Sequence, residues 1–355
     1  YARISNCKLG NNWNTLNNRN IDDFGLGVYQ MKNKAFINSK LSISDELSDY
    51  YNTIKNEFND HLKREISKEP KEIAILLEKG LKGGKRLRPV LCRLVSDALG
   101  GDTHLAFECG VALELLHCGA LIHDDWIDGD KFRRYAPSLW NELGPRTSIL
   151  VADMMVATGS LHGAISLSTG KSLARCARNL SEGAIADFTD KKNYNESVYL
   201  DRIKRKTGAL YGSAAELGAL VSPKSDLAPN MYKYGECVGI LYQITDDFLD
   251  LLNSLITKTA VGDLALKIPT LPFTKLSKYP QYQEIVDDFI FNGNTKKIIE
   301  KVEIKHAQEV FEELIQPWQD MSRKFLEDVP ESNAKRLLEQ LPISFANELI
   351  STDMN

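Results

Sequence analysis

Apolar residues recur at three- and four-residue spacings along most of this 355-residue chain, and this periodicity constrains the fold more than any other feature of the sequence. Clear examples are DELSDYYNTIKNEFNDHLKREI, FECGVALELLHCGALI and ELIQPWQDMSRKFLEDV. Such spacing places apolar side chains on one face of an α-helix, whereas a half-buried strand needs alternation, which is nearly absent. Glycines and prolines such as Gly83, Gly144 and Pro223 fall between these segments. The sequence therefore predicts an all-α protein of roughly ten or more helices.

Composition and charge narrow the class of protein. The chain is 43% apolar and 26% charged, which is typical of a soluble globular protein. Its net charge of −4 gives no global reason to bind nucleic acid, so an anionic ligand must meet a local basic pocket. The most membrane-like stretch, ILVADMMVATGSLHGAISL, contains Asp153 and His162, which favours a buried helix and no transmembrane segment. No linker or repeat divides residues 41–355, so these are predicted to form one domain.

The start of the chain differs from the rest. Residues 1–40 are predicted to be an N-terminal extension, since the first twenty are polar and Asn-rich and carry no secretory signal. We expect this segment to be disordered or to have been added to the natural chain, with Met31 a candidate natural start. The six cysteines are scattered and form no CxxC pair, which predicts reduced core residues in a cytoplasmic protein.

Two short acidic clusters share the pattern DDxxD, one in HDDWIDGDKFRR and one in YQITDDFLDLL. Their members are Asp124, Asp125, Asp128, Asp246, Asp247 and Asp250. Helical residues four apart share a face, and like charges so placed repel unless a cation lies between them. Carboxylate oxygens supplemented by water and phosphate suit Mg²⁺. The alternative is a solvated acidic face, but an apolar segment precedes each cluster, which favours carboxylates that face an interior cavity.

A basic loop, KGLKGGKRLRPVL, supplies Lys85, Arg86 and Arg88 just before Pro89 opens an apolar helix. Glycines allow backbone to approach an anion closely, and Arg and Lys complement phosphate oxygens in different ways. A solvated basic loop is the alternative for this element alone. Further cations lie near the acidic clusters, namely Arg133, Arg134, Lys204, Arg205, Lys206 and Lys258. Two acidic clusters with dispersed cations are what two diphosphates require, one bound through metal ions and one directly.

These motifs together carry a resemblance to the trans-isoprenyl diphosphate synthases, also called polyprenyl synthetases, over about residues 45–350. GGKRLRP, LIHDDWIDGDKFRR, KTG and YQITDDFLD occur in the family's order. The resemblance implies the isoprenoid synthase fold, a single helical bundle around a deep central cavity, and a homodimer. It also implies Mg²⁺-dependent condensation of an allylic diphosphate with isopentenyl diphosphate. The chain departs from the family pattern at Tyr135 and in the loop segments LLNSLITK and LALKIPTLP.

The resemblance assigns roles position by position. The six aspartates of the two motifs would ligate a set of three Mg²⁺ ions that chelate the allylic diphosphate. The same diphosphate would be neutralised by Arg133, Lys206 and Lys258. Isopentenyl diphosphate would be held by Lys85, Arg88, His117 and Arg134. Thr207 and Gln243 match positions near the reacting allylic carbon, where their oxygens would stabilise positive charge. For His117 by itself, a core histidine is the more common outcome.

Product length is expected to depend on the helix that precedes the first motif. Gly119 and Ala120 lie five and four residues before Asp124 and are small, while Leu116 and Leu113 lie further back. This predicts geranylgeranyl diphosphate as the main product, with a longer polyprenyl diphosphate as the alternative. A second explanation is that the small residues serve helix packing and that another helix forms the floor.

Two other classes of protein share part of this pattern. A class I terpene cyclase has one DDxxD motif but normally a mixed Asn/Ser/Glu second motif, and it needs no second diphosphate pocket. A non-catalytic regulatory subunit is expected to have lost such motifs. The second triad and GGKRLRP argue against both.

Overall fold

The computed structural model describes residues 44–133, 136–189 and 195–352, and these fold almost entirely into helices. The helices of the first half are α1 (Asp45–Ile66), α2 (Lys71–Leu81), α3 (Leu87–Ala98), α4 (Thr103–Asp128), α5 (Leu139–Leu143), α6 (Pro145–Gly163) and α7 (Leu167–Thr189). Those of the second half are α8 (Glu196–Ile203), α9 (Ala209–Leu220), α10 (Ala228–Thr257), α11 (Gly262–Ala265), α12 (Leu271–Thr274), α13 (Gln283–Asn292), α14 (Lys296–Lys301), α15 (Ile304–Lys324) and α16 (Asn333–Thr352). The all-α prediction is confirmed.

The remaining regular structure is short. Strands β1 (Phe132–Arg133) and β2 (Ala136–Pro137) form a two-stranded antiparallel ribbon. A π-helical turn spans Lys204–Gly208, and 3₁₀ turns span Ser225–Leu227, Lys275–Lys278 and Pro280–Tyr282. Residues Leu41–Asn355 make up one compact unit. The predicted extension of residues 1–40 lies outside the described residues, so its assignment stays a prediction.

Helix α4 is the central helix and sets the position of the first aspartate motif. Asp102 is its N-cap, and the carboxylate accepts a 2.8 Å hydrogen bond from the Leu105 amide; Gly129, in the left-handed region (φ 75°), is its C-cap. By length and composition alone α4 could span a membrane, but 72% of its most apolar stretch is buried inside the protein. Asp124, Asp125 and Asp128 therefore lie on the last turn of a core helix.

Helices α4 and α6 pack closely through small residues. A Cβ atom added to Gly119 of α4 would lie 3.0 Å from the carbonyl oxygen of Ala152, and one added to Gly159 of α6 would lie 2.9 Å from that of Ala112. Helix α6 contains most of the membrane-like stretch, and it is only partly buried: Val151, Ala152 and Met155 face the core, while its opposite face is exposed. The prediction of a buried helix is therefore right for one face of α6.

The π-helical turn joins α8 to α9 and lies against α10. Ala209 donates its backbone N–H to the carbonyl of Lys204, five residues earlier, so the turn is one residue wider than an α-helical turn. A Cβ on Gly239 of α10 would lie 2.8 Å from the Gly208 Cα, so only glycine permits this approach. The contact brings the KTG segment beside the second aspartate motif.

Two further details bear on the sequence predictions. Pro317 lies inside α15, within the segment ELIQPWQDMSRKFLEDV that the apolar spacing predicted to be helical. The five described cysteines are all buried free thiols, as predicted, and they are Cys92, Cys109, Cys118, Cys176 and Cys237.

Candidate active site

A cavity of about 830 Å³ opens between α3, α4, the π-helical turn and α10. Its wall includes most residues that the sequence predicted for diphosphate binding and catalysis, namely Lys85, Arg88, His117, Ala120, Asp124, Arg133, Lys206, Thr207, Gln243 and Asp246. The rest of the wall includes Glu114, Leu121, Leu180, Leu210 and Tyr242. Its volume falls within the range of about 300–1,000 Å³ that is usual for small-molecule sites. Residues distant in the chain therefore meet at one site.

The aspartates of the first motif lie in different surroundings, one at the cavity and one in the protein interior. Asp124 lines the cavity, and burial raises the pKa of its carboxyl, with Asp128 adding to the effect and Lys206 opposing it. Asp128 is exposed, four residues further along α4. Asp125 is buried and accepts hydrogen bonds of 2.7 and 2.9 Å from the Arg133 Nε. Asp125 thus holds Arg133 at the edge of the cavity, and its predicted contact with metal stays a prediction.

The aspartates of the second motif also lie in different surroundings. Asp246 lines the cavity, whereas Asp247 is buried and accepts hydrogen bonds from the Tyr199 hydroxyl and, at 2.9 Å, from the Gln243 Nε2. Burial raises the pKa of Asp247 well above its ordinary value, and these two hydrogen bonds oppose the rise. Asp250 accepts a 3.2 Å hydrogen bond from the Asp263 amide. The carboxylate therefore helps to position the loop that follows α10.

The basic loop uses its two arginines differently. Arg86 has a left-handed backbone (φ 60°), and its buried guanidinium contacts Glu114 at 2.5 Å, the Leu81 carbonyl at 2.9 Å and Asn59 at 3.0 Å. Arg86 is therefore a structural residue that fixes the loop. Arg88 instead lies over the ring of Tyr211, 4.7 Å from its centre, at the cavity wall.

Two further contacts orient the loop and the opposite wall. The Tyr51 hydroxyl donates a 2.6 Å hydrogen bond to the Lys85 carbonyl, so α1 supports the basic loop from behind. Lys206 forms a 2.6 Å ion pair with Asp187, which also pairs with Arg202 at 2.9 Å. Burial alone would lower the pKa of Lys206, but Asp124 and Asp187 raise it, so the side chain is a cation at neutral pH.

Several predicted residues lie away from the cavity. The Lys258 Nζ donates to the carbonyl of Ile299 at 2.9 Å, and the residue ends α10 in a left-handed conformation. Arg134 falls outside the described residues. Of the four residues predicted to set chain length, Ala120 lines the cavity, whereas Leu113, Leu116 and Gly119 are not among its lining residues. Gly119 faces Ala152 and Val156 of α6 instead.

The sequence predictions missed four residues that complete the site. Asp187 and Tyr199 are partners of Lys206 and Asp247, and Glu114 is the partner of Arg86. Asp263 lies beside Asp250, and burial together with Asp250 raises the pKa of Asp263 to about 6. Only Asp263 had a local signal, since it lies 13 residues after Asp250 and directly follows Gly262. The other three lie far along the chain from the groups that they contact.

The carboxylates of the two motifs fit a magnesium site. Asp124 of α4 and Asp246 of α10 line the cavity, and Asp128 and Asp250 each lie four residues further along the same helix, so hard oxygen donors come from two helices. Lys206 and Arg133 lie close enough to Asp124 to affect its pKa, which leaves cations beside the place where a metal-bound anion would lie. Mg²⁺ bound through one or two carboxylates per ion, with phosphate and water, matches this donor set.

The fold and the site together define an all-α protein of the isoprenoid synthase type. The sequence profile of polyprenyl synthetase matches residues 70–307, and the chain belongs to this family. It is 36% identical over 215 residues to a geranylgeranyl diphosphate synthase of Sulfolobus acidocaldarius, a match that covers 57% of this chain and 65% of the relative. That share is just under two thirds of the relative's length.

Two other similarities extend over more of the chain. A geranylgeranyl diphosphate synthase of Saccharolobus solfataricus is 29% identical over 311 residues, which is 82% of this chain and 94% of the relative. The solved structure of a geranylgeranyl pyrophosphate synthetase from Geoglobus acetivorans superimposes with a TM-score of 0.66 and 26% identity, and covers 82% of this chain and 99% of the other. The predicted family and the isoprenoid synthase fold are confirmed.

Proposed function

We propose that this protein is a magnesium-dependent trans-prenyltransferase that condenses an allylic diphosphate with isopentenyl diphosphate. The observation that carries the proposal is the composition of one cavity wall. Carboxylates of Asp124 and Asp246 line the same cavity as Lys85, Arg88 and Lys206, so a metal-bound diphosphate and a directly bound diphosphate have complementary partners around one space. Membership of the polyprenyl synthetase family supports the same reaction.

In the proposed reaction, the bond between the allylic carbon and the diphosphate oxygen breaks, and the isopentenyl double bond attacks the allylic cation. A new carbon–carbon bond forms, and a proton leaves to the released diphosphate. Mg²⁺, when bound, would supply positive charge that offsets the charge of the departing diphosphate. Asp124, Asp128, Asp246 and Asp250 would hold the ions, with a set of three ions as the proposed number. Lys206 and Arg133 add positive charge where the leaving group forms.

The other residues of the wall orient and protect the reacting groups. Lys85, Arg88 and His117 are proposed to bind isopentenyl diphosphate. The oxygens of Thr207 and Gln243 would lie beside the allylic cation. Leu121, Leu180 and Leu210 line the apolar part of the cavity, which would exclude the water that otherwise captures the cation.

The proposed main product is geranylgeranyl diphosphate, with a longer polyprenyl diphosphate as the second candidate. The names of the relatives from Sulfolobus acidocaldarius and Saccharolobus solfataricus support the first choice. Ala120 is the predicted chain-length residue that lines the cavity, and Leu180 and Leu210 come from other helices. These two leucines support the alternative in which another helix contributes to the floor. A homodimer located in the cytoplasm is proposed on the same family basis.

The direct test is incubation of the purified chain with MgCl₂, radiolabelled isopentenyl diphosphate and separate allylic starters. Dephosphorylated products would be separated by chromatography. Elongated prenyl alcohols from at least one starter are expected, and omission of Mg²⁺ or addition of a chelator should abolish them. A cyclic hydrocarbon released without incorporation of label would instead indicate a terpene cyclase, and no product with any starter would favour a regulatory subunit.

A further inference from the structure

Three of the six histidines in the chain meet at one glutamate, far from the aspartate motifs. We define the histidine cluster as His61, His104, His162, Glu65 and Glu108. It joins the C-terminal half of α1, the first turns of α4 and the last turn of α6. Glu108 and Asp124 are 16 residues apart on α4, or about 24 Å along its axis at 1.5 Å per residue. The cluster is therefore separate from the active site.

We propose that the histidine cluster binds a divalent transition-metal ion, with Zn²⁺ the best candidate, through His61, His104 and Glu108. One possible ligand atom from each of these three residues lies within 4.8 Å of the others. Two imidazoles and one carboxylate form a donor set that zinc accepts, with a water in the fourth position. Imidazole nitrogen favours zinc and its neighbours in the transition series over Mg²⁺, which takes oxygen ligands.

The surroundings of Glu108 are those of an oriented metal ligand. His61 Nε2 lies 2.9 Å from one carboxylate oxygen, and His162 Nδ1 lies 2.7 Å from the other. Ligating carboxylates are commonly held in this way by a second residue, and His162 supplies that contact here. Glu65 lies close to Glu108 and His162, and it also pairs with Lys68.

Burial and exposure in the cluster also suit metal binding. The His61 side chain is 6% exposed, so the core around it holds the ring in place. His104 is exposed on the first turn of α4, so the ion would have a path from solvent. Its ring centre lies 5.6 Å from that of His61, edge to face, so a modest side-chain rotation would bring both nitrogens to one ion.

Such an ion would fasten α1 to the core of the protein. Helix α1 supports the basic loop of the active site through Tyr51, which binds the Lys85 carbonyl, and Asn59, which binds Arg86. The site would therefore stabilise the helix that holds this loop. It would be a structural metal site and would take no part in the reaction.

The test is calorimetric titration of the full chain with ZnSO₄ after chelator treatment, in excess MgCl₂ so that the aspartate motifs hold their own ion. One equivalent of Zn²⁺ should bind, and the protein's Tm should rise by a few degrees at saturation. Glu108→Gln, which keeps the side-chain shape, and His104→Ala, which alters an exposed residue, should each weaken binding by about 100-fold. His162→Gln should weaken it by about 10–100-fold, as for a residue that orients a ligand.

Two controls and one spectroscopic readout separate this site from the others. His306→Gln, outside the cluster, and the double variant Asp124→Asn with Asp246→Asn should leave Zn²⁺ affinity within about twofold. Co²⁺ titrated into the wild type should give visible absorption bands typical of a four-coordinate site, and Glu108→Gln should lose them. No Zn²⁺ binding to the wild type, or binding that survives in both Glu108→Gln and His104→Ala, would overturn the proposal and leave a hydrogen-bonded cluster only.

Discussion

The hydroxyl of Thr207 donates a 2.8 Å hydrogen bond to the amide oxygen of Gln243, and this bond joins the π-helical turn to α10 at the cavity wall. The amide nitrogen of Gln243 in turn donates to Asp247, which also accepts from the Tyr199 hydroxyl. One chain of hydrogen bonds thus fixes the oxygens of Thr207 and Gln243 beside the predicted reaction centre. A wider π-helical turn allows this contact without interrupting the helix.

Thr207→Val should test this arrangement, since valine keeps the shape but removes the hydroxyl. We expect kcat to fall by about 10–100-fold, with a loss of stability of only about 1 kcal/mol for the single hydrogen bond. Thr207→Ser retains the hydroxyl and should keep kcat within about threefold of wild type. The measurements are steady-state kinetics at saturating substrates and urea unfolding. Equal activity of the valine and serine variants would argue against a role for the hydroxyl.

Asp124→Ala and Asp246→Ala should each lower kcat by about 100-fold or more while the fold remains intact, because carboxylates that line the same cavity and are proposed to hold metal ions contribute to catalysis rather than to stability. Asp49→Ala, which alters an exposed aspartate of α1, is the matched control. Turnover would be measured with Mg²⁺, and the circular dichroism spectrum would show whether each variant keeps the fold. Near-normal turnover in either motif variant would mean that the two motifs do not act on one set of ions.

Arg88→Ala and Lys206→Ala should affect different substrates. Arg88 belongs to the basic loop and lies over the ring of Tyr211. Its loss should therefore raise the KM for isopentenyl diphosphate by about 10–100-fold. Lys206 lies near Asp124 and Asp128, so its loss should mainly impair use of the allylic diphosphate. Arg64→Ala, on the exposed face of α1, is the control. If Arg88→Ala changed only the allylic KM, the division between the two sites would be wrong.

The same substitution at two neighbouring positions of α4 should have different effects. Ala120→Phe places a ring in the cavity and should shorten the product toward fifteen carbons, because a packed ring does not compress. Gly119→Phe drives a ring against the Ala152 carbonyl oxygen and should cost about 3 kcal/mol of stability.

Chromatography of the dephosphorylated products and thermal unfolding measure these two outcomes. A stable Gly119→Phe variant with a shortened product would show that Gly119 faces the product after all. Unchanged chain length in Ala120→Phe would place the floor entirely on α7 and α9, where Leu180 and Leu210 line the cavity.

The buried cysteines should be unreactive in the folded protein. Burial raises the pKa values of Cys176 and Cys237 to about 12, so almost no thiolate is present at pH 8. Ellman's reagent should therefore label no more than the one cysteine outside the described residues, Cys7, in the native protein. All six should react after unfolding. Rapid labelling of several thiols at pH 8 without loss of structure would contradict the observed burial.

The helical class and the position of each motif along the chain follow from the sequence alone. Apolar spacing specifies helices because each helix must bury one face, and the DDxxD spacing places Asp124 with Asp128 and Asp246 with Asp250 by the geometry of a single helix. These are local relationships, and no other part of the chain is needed to establish them. The basic loop was identified for the same reason, as consecutive residues between two breakers.

Which member of each motif faces the cavity depends instead on how the helices pack. Adjacent helical residues point about 100° apart, and the rotation of a helix is set by the helices that pack against it. Asp125 therefore faces Arg133 while Asp124 faces the cavity, and Gly119 faces α6 while Ala120 lines the wall. The partners Asp187, Tyr199 and Glu114 were likewise beyond sequence reasoning, because contacts between distant segments exist only once the bundle has packed.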